Sequence, residues 1–369
     1  MCLCGSKVKL LYHADMPPLQ QATGVSNGHM IGGVIRIGAK TMRQVQFSET
    51  GGADVLKVVD VVRPEPGPNQ VLVRVESASV NFADVVRRRG DPYPAPTPLP
   101  AVPGSEVAGF VEAVGENVED LAVGDPVFGS LDLGGYSEFV ITESERTFKL
   151  PEDFDLDVAC TLVVAGVTAY QIITEVARVN VGDSVFIPGA VGGVGSYAVQ
   201  IARIQGAKLI IAGASSNDRR AQALANGADY AVDYGLPSWP DEVKKLTDGK
   251  GADVVLDMIG GDHFEQCLAA LAPFGRLVVY GNVSRQSATL KPTQLLGLGQ
   301  SVAGYYVGQW FAARPVESHR AFRTLVGLVQ ARRLKVEISE KFPLERAADA
   351  HRLIEQRRAI GKTILKPWA

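Results

Sequence analysis

Apolar and polar residues follow two different rhythms along this chain. From Met42 they alternate: MRQVQFSETGGADVLKVVDV (42–61) turns at Gly51-Gly52, and QVLVRVESAS (70–79) alternates again. A period of two puts successive side chains on opposite faces of a strand, so both stretches predict an antiparallel β domain. Asn81-Phe82-Ala83-Asp84-Val85-Val86 predicts a short helix entered from a strand. Prolines at 92, 94, 96, 98, 100 and 103 then hold a stiff extended loop that contains Tyr93. Further strands are predicted over 107–114, after the turn Val123-Gly124-Asp125-Pro126, and over 134–140.

Beyond residue 183 the rhythm changes to short, uninterrupted apolar runs separated by helix-compatible stretches. SVFI (184–187), KLIIA (208–212), DVVLD (253–257), RLVVY (276–280) and 301–307 read as buried strands, and 263–271, 317–332 and 347–356 as helices. Strand-helix repetition of this type predicts an α/β fold, a Rossmann doubly wound parallel sheet with ligands at its C-terminal edge.

The first of these units is the most informative stretch, DSVFIPGAVGGVGSYAVQIAR (183–203). It reads as strand, glycine turn and helix, with Ala190, Gly192 and Gly195 at the three places of the G-x-G-x-x-G template. Glycine lets backbone N–H groups approach a pyrophosphate, and the helix N-terminus favours its negative charge. Gly192, Gly193, Val194 and Gly195 are therefore candidate dinucleotide contacts; the competing reading is a turn that only tightens an α/β core. After the second run, where NAD enzymes carry an acidic residue for the ribose, the chain reads GASSNDRR (213–220). Ser215 and Arg219 offer a donor and a cation to a 2′-phosphate, with Asp218 turned outward, which favours NADPH. A serine cap beside two solvated arginines is the alternative. Asn282, after RLVVYG, reaches the nicotinamide end or is simply a turn residue; both readings are open.

The chain has 369 residues, enough for two domains, and a net charge of -3, which gives no basic footprint for nucleic acid. Arg87, Arg88 and Arg89, the densest basic run, read as the solvated last turn of a helix before Gly90. Cys2, Cys4, Cys160 and Cys267 imply neither a disulfide framework nor a zinc cage, and fit a reducing cytoplasm. Cys160 and Cys267 read as packing residues without a histidine nearby. The histidines at 13, 29, 263, 319 and 351 read as too dispersed for a metal cluster. The longest nearly apolar stretch, 158–170, falls short of the roughly 20 residues a membrane helix needs, so no span is expected. Residues 1–41 show no sustained period and no signal-peptide core. They predict a disordered leader or a tail left by cloning, with Met42 a natural start.

NFADV, PGSEVAGFVEAVG, VGDPVF, GGYSEFV, KLP, GVTAY and GAVGGVG occur in the order seen in medium-chain dehydrogenases and reductases. From Met42 onward the chain resembles their zinc-free NADPH:quinone reductase branch, which includes zeta-crystallin-like and vesicle-amine-transport-like members. The resemblance implies a GroES-like catalytic domain over 42–166 and 306–369, to which GKTIL (361–365) returns as a strand. It implies an NADPH-binding Rossmann domain over 167–305. Zinc-dependent relatives place a cysteine and a G-H-E histidine where this chain has Val80-Asn81 and Gly104-Ser105-Glu106, so no zinc is expected. By resemblance Arg219 and Tyr234 sit beside the adenosine phosphate, Thr168 partners the carboxamide, and Asn81 lies near cofactor and substrate. A core threonine satisfied by backbone is the competing reading of Thr168. Asn81 and Tyr93 are the candidate catalytic residues, an amide to steady and a phenol to donate.

The tyrosine that some bacterial quinone reductases carry two residues after the aspartate is Val86 here. The expected activity is NADPH-dependent hydride transfer to a quinone or other α,β-unsaturated carbonyl compound. An enoyl-thioester reductase is the same-class alternative, and a structural or RNA-binding role, known among zeta-crystallin-like proteins, the other. Relatives also imply a homodimer through the strand at 301–307.

Overall fold

The two rhythms become two sheets in the computed structural model, which describes residues 40–369. The expectations for residues 1–39 lie outside the described residues. The first sheet element begins at Thr41, one residue before the predicted start.

The alternating segments form β1 (Thr41–Gln46), β2 (Lys57–Val62), β3 (Gln70–Val80), β4 (Glu106–Val114), β5 (Pro126–Ser130), β6 (Phe139–Glu143) and β7 (Thr147–Lys149). β1 and β2 pair as a hairpin; the others join a seven-stranded sheet in the order β14-β15-β3-β4-β5-β7, with β6 on β3. Two of its strands, β14 (Ile338–Phe342) and β15 (Lys362–Leu365), come from the far end of the chain. β15 lies antiparallel to β3, with Thr363 opposite Val80 and Ile364 opposite Ser79. The strand predicted over 134–140 starts later, at Phe139. Gly134, Gly135 and Tyr136 spend their N–H groups locally, on the carbonyls of Val102, Gly104 and Pro103.

The apolar runs form a six-stranded, all-parallel sheet: β8 (Ser184–Pro188), β9 (Leu209–Gly213), β10 (Tyr230–Val232), β11 (Ala252–Asp257), β12 (Leu271–Val279) and β13 (Ser301–Gly304). Its order, β10-β9-β8-β11-β12-β13, reverses between β8 and β11, where such sheets open a ligand crevice. Every residue of β8 is buried because helices cover both faces. β13 is shorter than predicted; its partner β12 ends at Val279, opposite Gly304.

Residues 156–176 are a helical passage between the sheets that contains two π-turns, Leu162–Val167 and Ile172–Val176, around the short helix Thr168–Gln171. π-turns recur at functional sites because they re-aim backbone groups. Among the described residues no helix is long and apolar enough to cross a membrane.

The arginine run departs from its reading as a solvated turn. The helix Phe82–Arg89 does end on it, at left-handed Gly90, but Arg88 is fully buried and paired with Glu355. Arg87 is also buried, donating to Thr97 Oγ1 and to the carbonyls of Pro96 and Asp132. These two arginines tie the proline-rich loop and the helix Ala347–Glu355 to the body. Arg87 satisfies three donors at once through its guanidinium fork, whereas Arg88 is held by its single carboxylate partner.

Candidate active site

The glycine turn is held by contacts that only glycine permits. At Gly189 φ is +61°. A Cβ on Gly195 would fall 2.2 Å from the Gly189 carbonyl oxygen and 2.8 Å from the Ala190 Cα. Gly195 thus lets the helix Gly193–Ile204 press against the turn that precedes it. Gly192 is the extended N-cap and has no side chain to occupy the first N–H groups of that helix. The cradle a side chain would fill is left for an acidic ligand, and the residues fit a dinucleotide pyrophosphate.

The end of the chain meets this turn directly. Gly361 N–H donates to the Val191 carbonyl at 2.7 Å, and Lys362 follows. The Lys362 side chain reaches Gly193, where a Cβ would stand 3.1 Å from its Cδ and 4.0 Å from its Nζ. Lys362 Nζ also donates to Asn81 Oδ1 at 2.6 Å and lies 3.6 Å from Glu106 Oε1. Asn81 Nδ2 donates to the same Glu106 oxygen at 2.9 Å. The other Glu106 oxygen accepts from the π-turn N–H groups of Val163, at 3.2 Å, and Val164, at 2.8 Å. Three segments of the antiparallel sheet and the helical passage therefore converge on one buried ion pair beside the glycine turn. Lys362 was not anticipated by sequence, and Glu106 was noted only for the histidine missing before it. The amide of Asn81 is already occupied on both sides; it positions Lys362 and Glu106.

Asp84 carries a second buried network. It accepts from Asn81 N–H at 2.8 Å, Gly104 N–H at 3.2 Å and the Tyr136 hydroxyl at 3.2 Å. Tyr136 in turn meets His351 Nε2 at 3.1 Å. Burial pushes the Asp84 carboxyl up to about 6 in spite of these donors, and holds His351 down to about 3, with Arg88 and Arg89 adding to the second effect.

Thr168 is buried at the start of its short helix, directly after the first π-turn. Tyr93 packs edge-on against Tyr306 with Arg87 over its ring, and burial raises its phenol, so it is a neutral hydroxyl. Ser215 is exposed. Ser216, not Ser215, caps the helix Asn217–Ala225, and Asp218 points to solvent in its first turn. Arg219 donates to the carbonyls of Arg357, at 2.8 Å, and Ala359, bracing the segment that leads to Lys362. Tyr234 lies against Gly213 at the end of β9. Asn282 is exposed beyond β12, its Oδ1 over Gly260 and accepting from Ser284.

Comparison with known proteins agrees with this architecture. The chain matches the alcohol dehydrogenase GroES-like domain over residues 67–152 and the zinc-binding dehydrogenase family over 193–329. It is a medium-chain dehydrogenase/reductase. It is 35% identical over 330 residues to a quinone oxidoreductase of Pseudomonas aeruginosa, an alignment covering 88% of this chain and 99% of that one. A crystal structure of Escherichia coli quinone oxidoreductase complexed with NADPH matches with TM-score 0.82 and 28% identity, over 89% of this chain and 100% of its own. CurK enoyl reductase matches with TM-score 0.79 and 29% identity, over 88% and 99%. The chain belongs to the quinone oxidoreductase branch of that superfamily and is an oxidoreductase.

Proposed function

We propose that this oxidoreductase uses NADPH to reduce a quinone or other α,β-unsaturated carbonyl compound, without zinc. The observation that carries the reading is the junction of the glycine turn with the Lys362–Asn81–Glu106 cluster, which combines a pyrophosphate cradle with a cation in a water-poor crevice. Bound NADPH supplies the hydride. The N–H groups of residues 193–195 and the Lys362 ammonium receive the pyrophosphate, Ser215, Arg219 and Tyr234 surround the 2′-phosphate, and Thr168 and Asn282 face the nicotinamide end. Tyr93 presents its phenol to the substrate oxygen that gains charge. Val80, Asn81, Ser105 and Glu106 offer no thiolate or imidazole, and the Glu106 carboxylate is engaged on both oxygens, so a tetrahedral zinc does not fit there. The likeness to an enoyl reductase supports enoyl thioesters as the second substrate class. Product analysis on matched quinone, enone and enoyl-thioester panels separates the two.

In this reading residues 42–166 with 306–369 form the catalytic domain and 167–305 the NADPH domain of a cytoplasmic enzyme. Arg219→Ala is expected to weaken NADPH roughly 10–100-fold, the value of one charge-assisted contact, while NADH binding changes little. Equal losses for both cofactors in a fluorescence titration would assign Arg219 to the Arg357 and Ala359 carbonyls alone. Among the described residues β13 has a neighbour on one side only, and that free edge is proposed to pair with a second copy. Light scattering is expected to give twice the 39.3 kDa chain mass, and a monomer would refute this.

A further inference from the structure

Neither cysteine was expected to stand near a histidine, and for Cys267 the structure corrects this. His263 and Cys267, four residues apart, share one face of the helix Asp262–Ala269, with His263 Nδ1 3.3 Å from Cys267 Sγ. The same nitrogen lies 3.3 Å from Asp257 Oδ1 at the end of β11. We propose that Asp257, His263 and Cys267 form a buried zinc-binding site, separate from the hydride-transfer crevice.

Geometry is the first argument. One ligand atom from each residue lies within 4.8 Å of the other two. Zinc bonds of about 2.0–2.3 Å in a tetrahedral shell place ligands about 3.3–3.8 Å apart, close to the two distances observed. The set of nitrogen, sulfur and oxygen suits zinc better than magnesium or calcium, which select oxygen alone.

The second argument is what the cluster leaves unsatisfied. Asp257 Oδ2 and the Tyr280 hydroxyl are both buried without a hydrogen-bond partner. Native interiors seldom leave one such atom. Asp257 Oδ1, the oxygen nearest His263, also accepts from the N–H groups of Ile259, at 2.8 Å, and Gly260, at 3.2 Å, which fix the carboxylate, and Oδ2 is left to share the ion. Among the described residues no lysine or arginine compensates this fully buried carboxylate. Burying such a charge alone is costly. A divalent zinc with carboxylate, thiolate and neutral imidazole makes a site of zero net charge, and its formation releases the Cys267 thiol proton. Tyr280, whose N–H donates to the Asp257 carbonyl at 2.9 Å and whose buried hydroxyl has no partner, supplies the fourth ligand or holds a ligating water. Trp239 stacks on the His263 ring at 5.2 Å and Tyr234 meets it edge-on at 5.8 Å, which fixes its orientation. Cys160 offers a contrast: its thiol donates to the Asp157 carbonyl, as a packing cysteine does.

Zinc here would act on structure. The loop after Asp257 carries Met258, whose methyl packs so close over Gly189 that a Cβ there would meet it at 2.3 Å. Fixing Asp257 to the helix therefore stiffens one wall of the glycine turn.

The test uses the full chain, stripped of metal by unfolding in chelator and refolded with cobalt(II), since the site is closed in the folded state. One equivalent of cobalt per chain is expected, with a thiolate-to-cobalt charge-transfer band. The band should vanish in Cys267→Ser, and cobalt affinity should fall by more than about 100-fold in His263→Asn, beyond the loss from an outer-shell change. The Cys267→Ser comparison also discounts Cys2 and Cys4, which lie outside the described residues. A protein that refolds, as judged by NADPH binding, without the band overturns the site; so does a band that survives Cys267→Ser. Should the serine variant fail to refold, wild-type Tm decides: a rise on adding zinc to the stripped chain during refolding supports the site, and an unchanged Tm refutes it.

Discussion

Gly195→Ala is expected to abolish tight NADPH binding and to destabilise the fold. The added Cβ would stand 2.2 Å from the Gly189 carbonyl oxygen and 2.8 Å from the Ala190 Cα, both backbone atoms with no rotamer to yield. Overpacking of a close-packed interior costs roughly 1–3 kcal/mol, and here relief requires the helix to move off the turn. That movement displaces the N–H groups of 193–195 together. Each hydrogen bond from these N–H groups to a charged phosphate contributes about 1.5–3 kcal/mol, so losing even one of them should cut NADPH affinity roughly 100-fold. Gly52→Ala is the control: a Cβ there meets nothing within 4 Å, and both Tm and affinity should stay at wild-type values. Wild-type affinity in Gly195→Ala would show that the turn does not hold the cofactor.

Lys362→Met is expected to be the most destabilising single change near the crevice. Lys362 and Glu106 are 3% and 0% exposed, and removing one partner leaves a buried carboxylate without its cation. Breaking such a pair costs about 3–5 kcal/mol, although replacing both partners is often near neutral. Glu106→Gln combined with Lys362→Met should therefore recover much of the stability. Cofactor affinity should not recover, because the cation beside Gly193 is still missing. Chemical denaturation and NADPH titration on the two variants separate these effects. Full recovery of both would make the pair purely structural.

The two lobes were legible in the sequence because each local period agrees with the fold it enters: alternation where one sheet face is covered, continuous apolar runs where both are. Gly192 to Gly195 could be read for the same reason, as strand, turn and helix adjoin in the chain. What was missed joins distant segments. Lys362 meets Asn81 across 281 residues, and nothing local in KTIL marks its lysine as buried. Arg88 looked like one of three solvated charges until Glu355, 267 residues away, proved to be its partner. His263 and Cys267 are different: their spacing of four on a predicted helix was visible, and Asp257 at the end of DVVLD completed the set.

Zinc-free NADPH-dependent reduction is tested by following cofactor oxidation in chelator, with NADPH and NADH in parallel and benzoquinone or a simple enone as acceptor. NADPH should be consumed in step with acceptor and in clear preference to NADH, and the enone should yield saturated ketone, its added hydride coming from NADPH and its proton from water. Binding of NADPH without turnover of either acceptor would contradict the proposed substrate class. Failure to bind either cofactor would make the glycine turn a packing device and refute the assignment as an NADPH reductase.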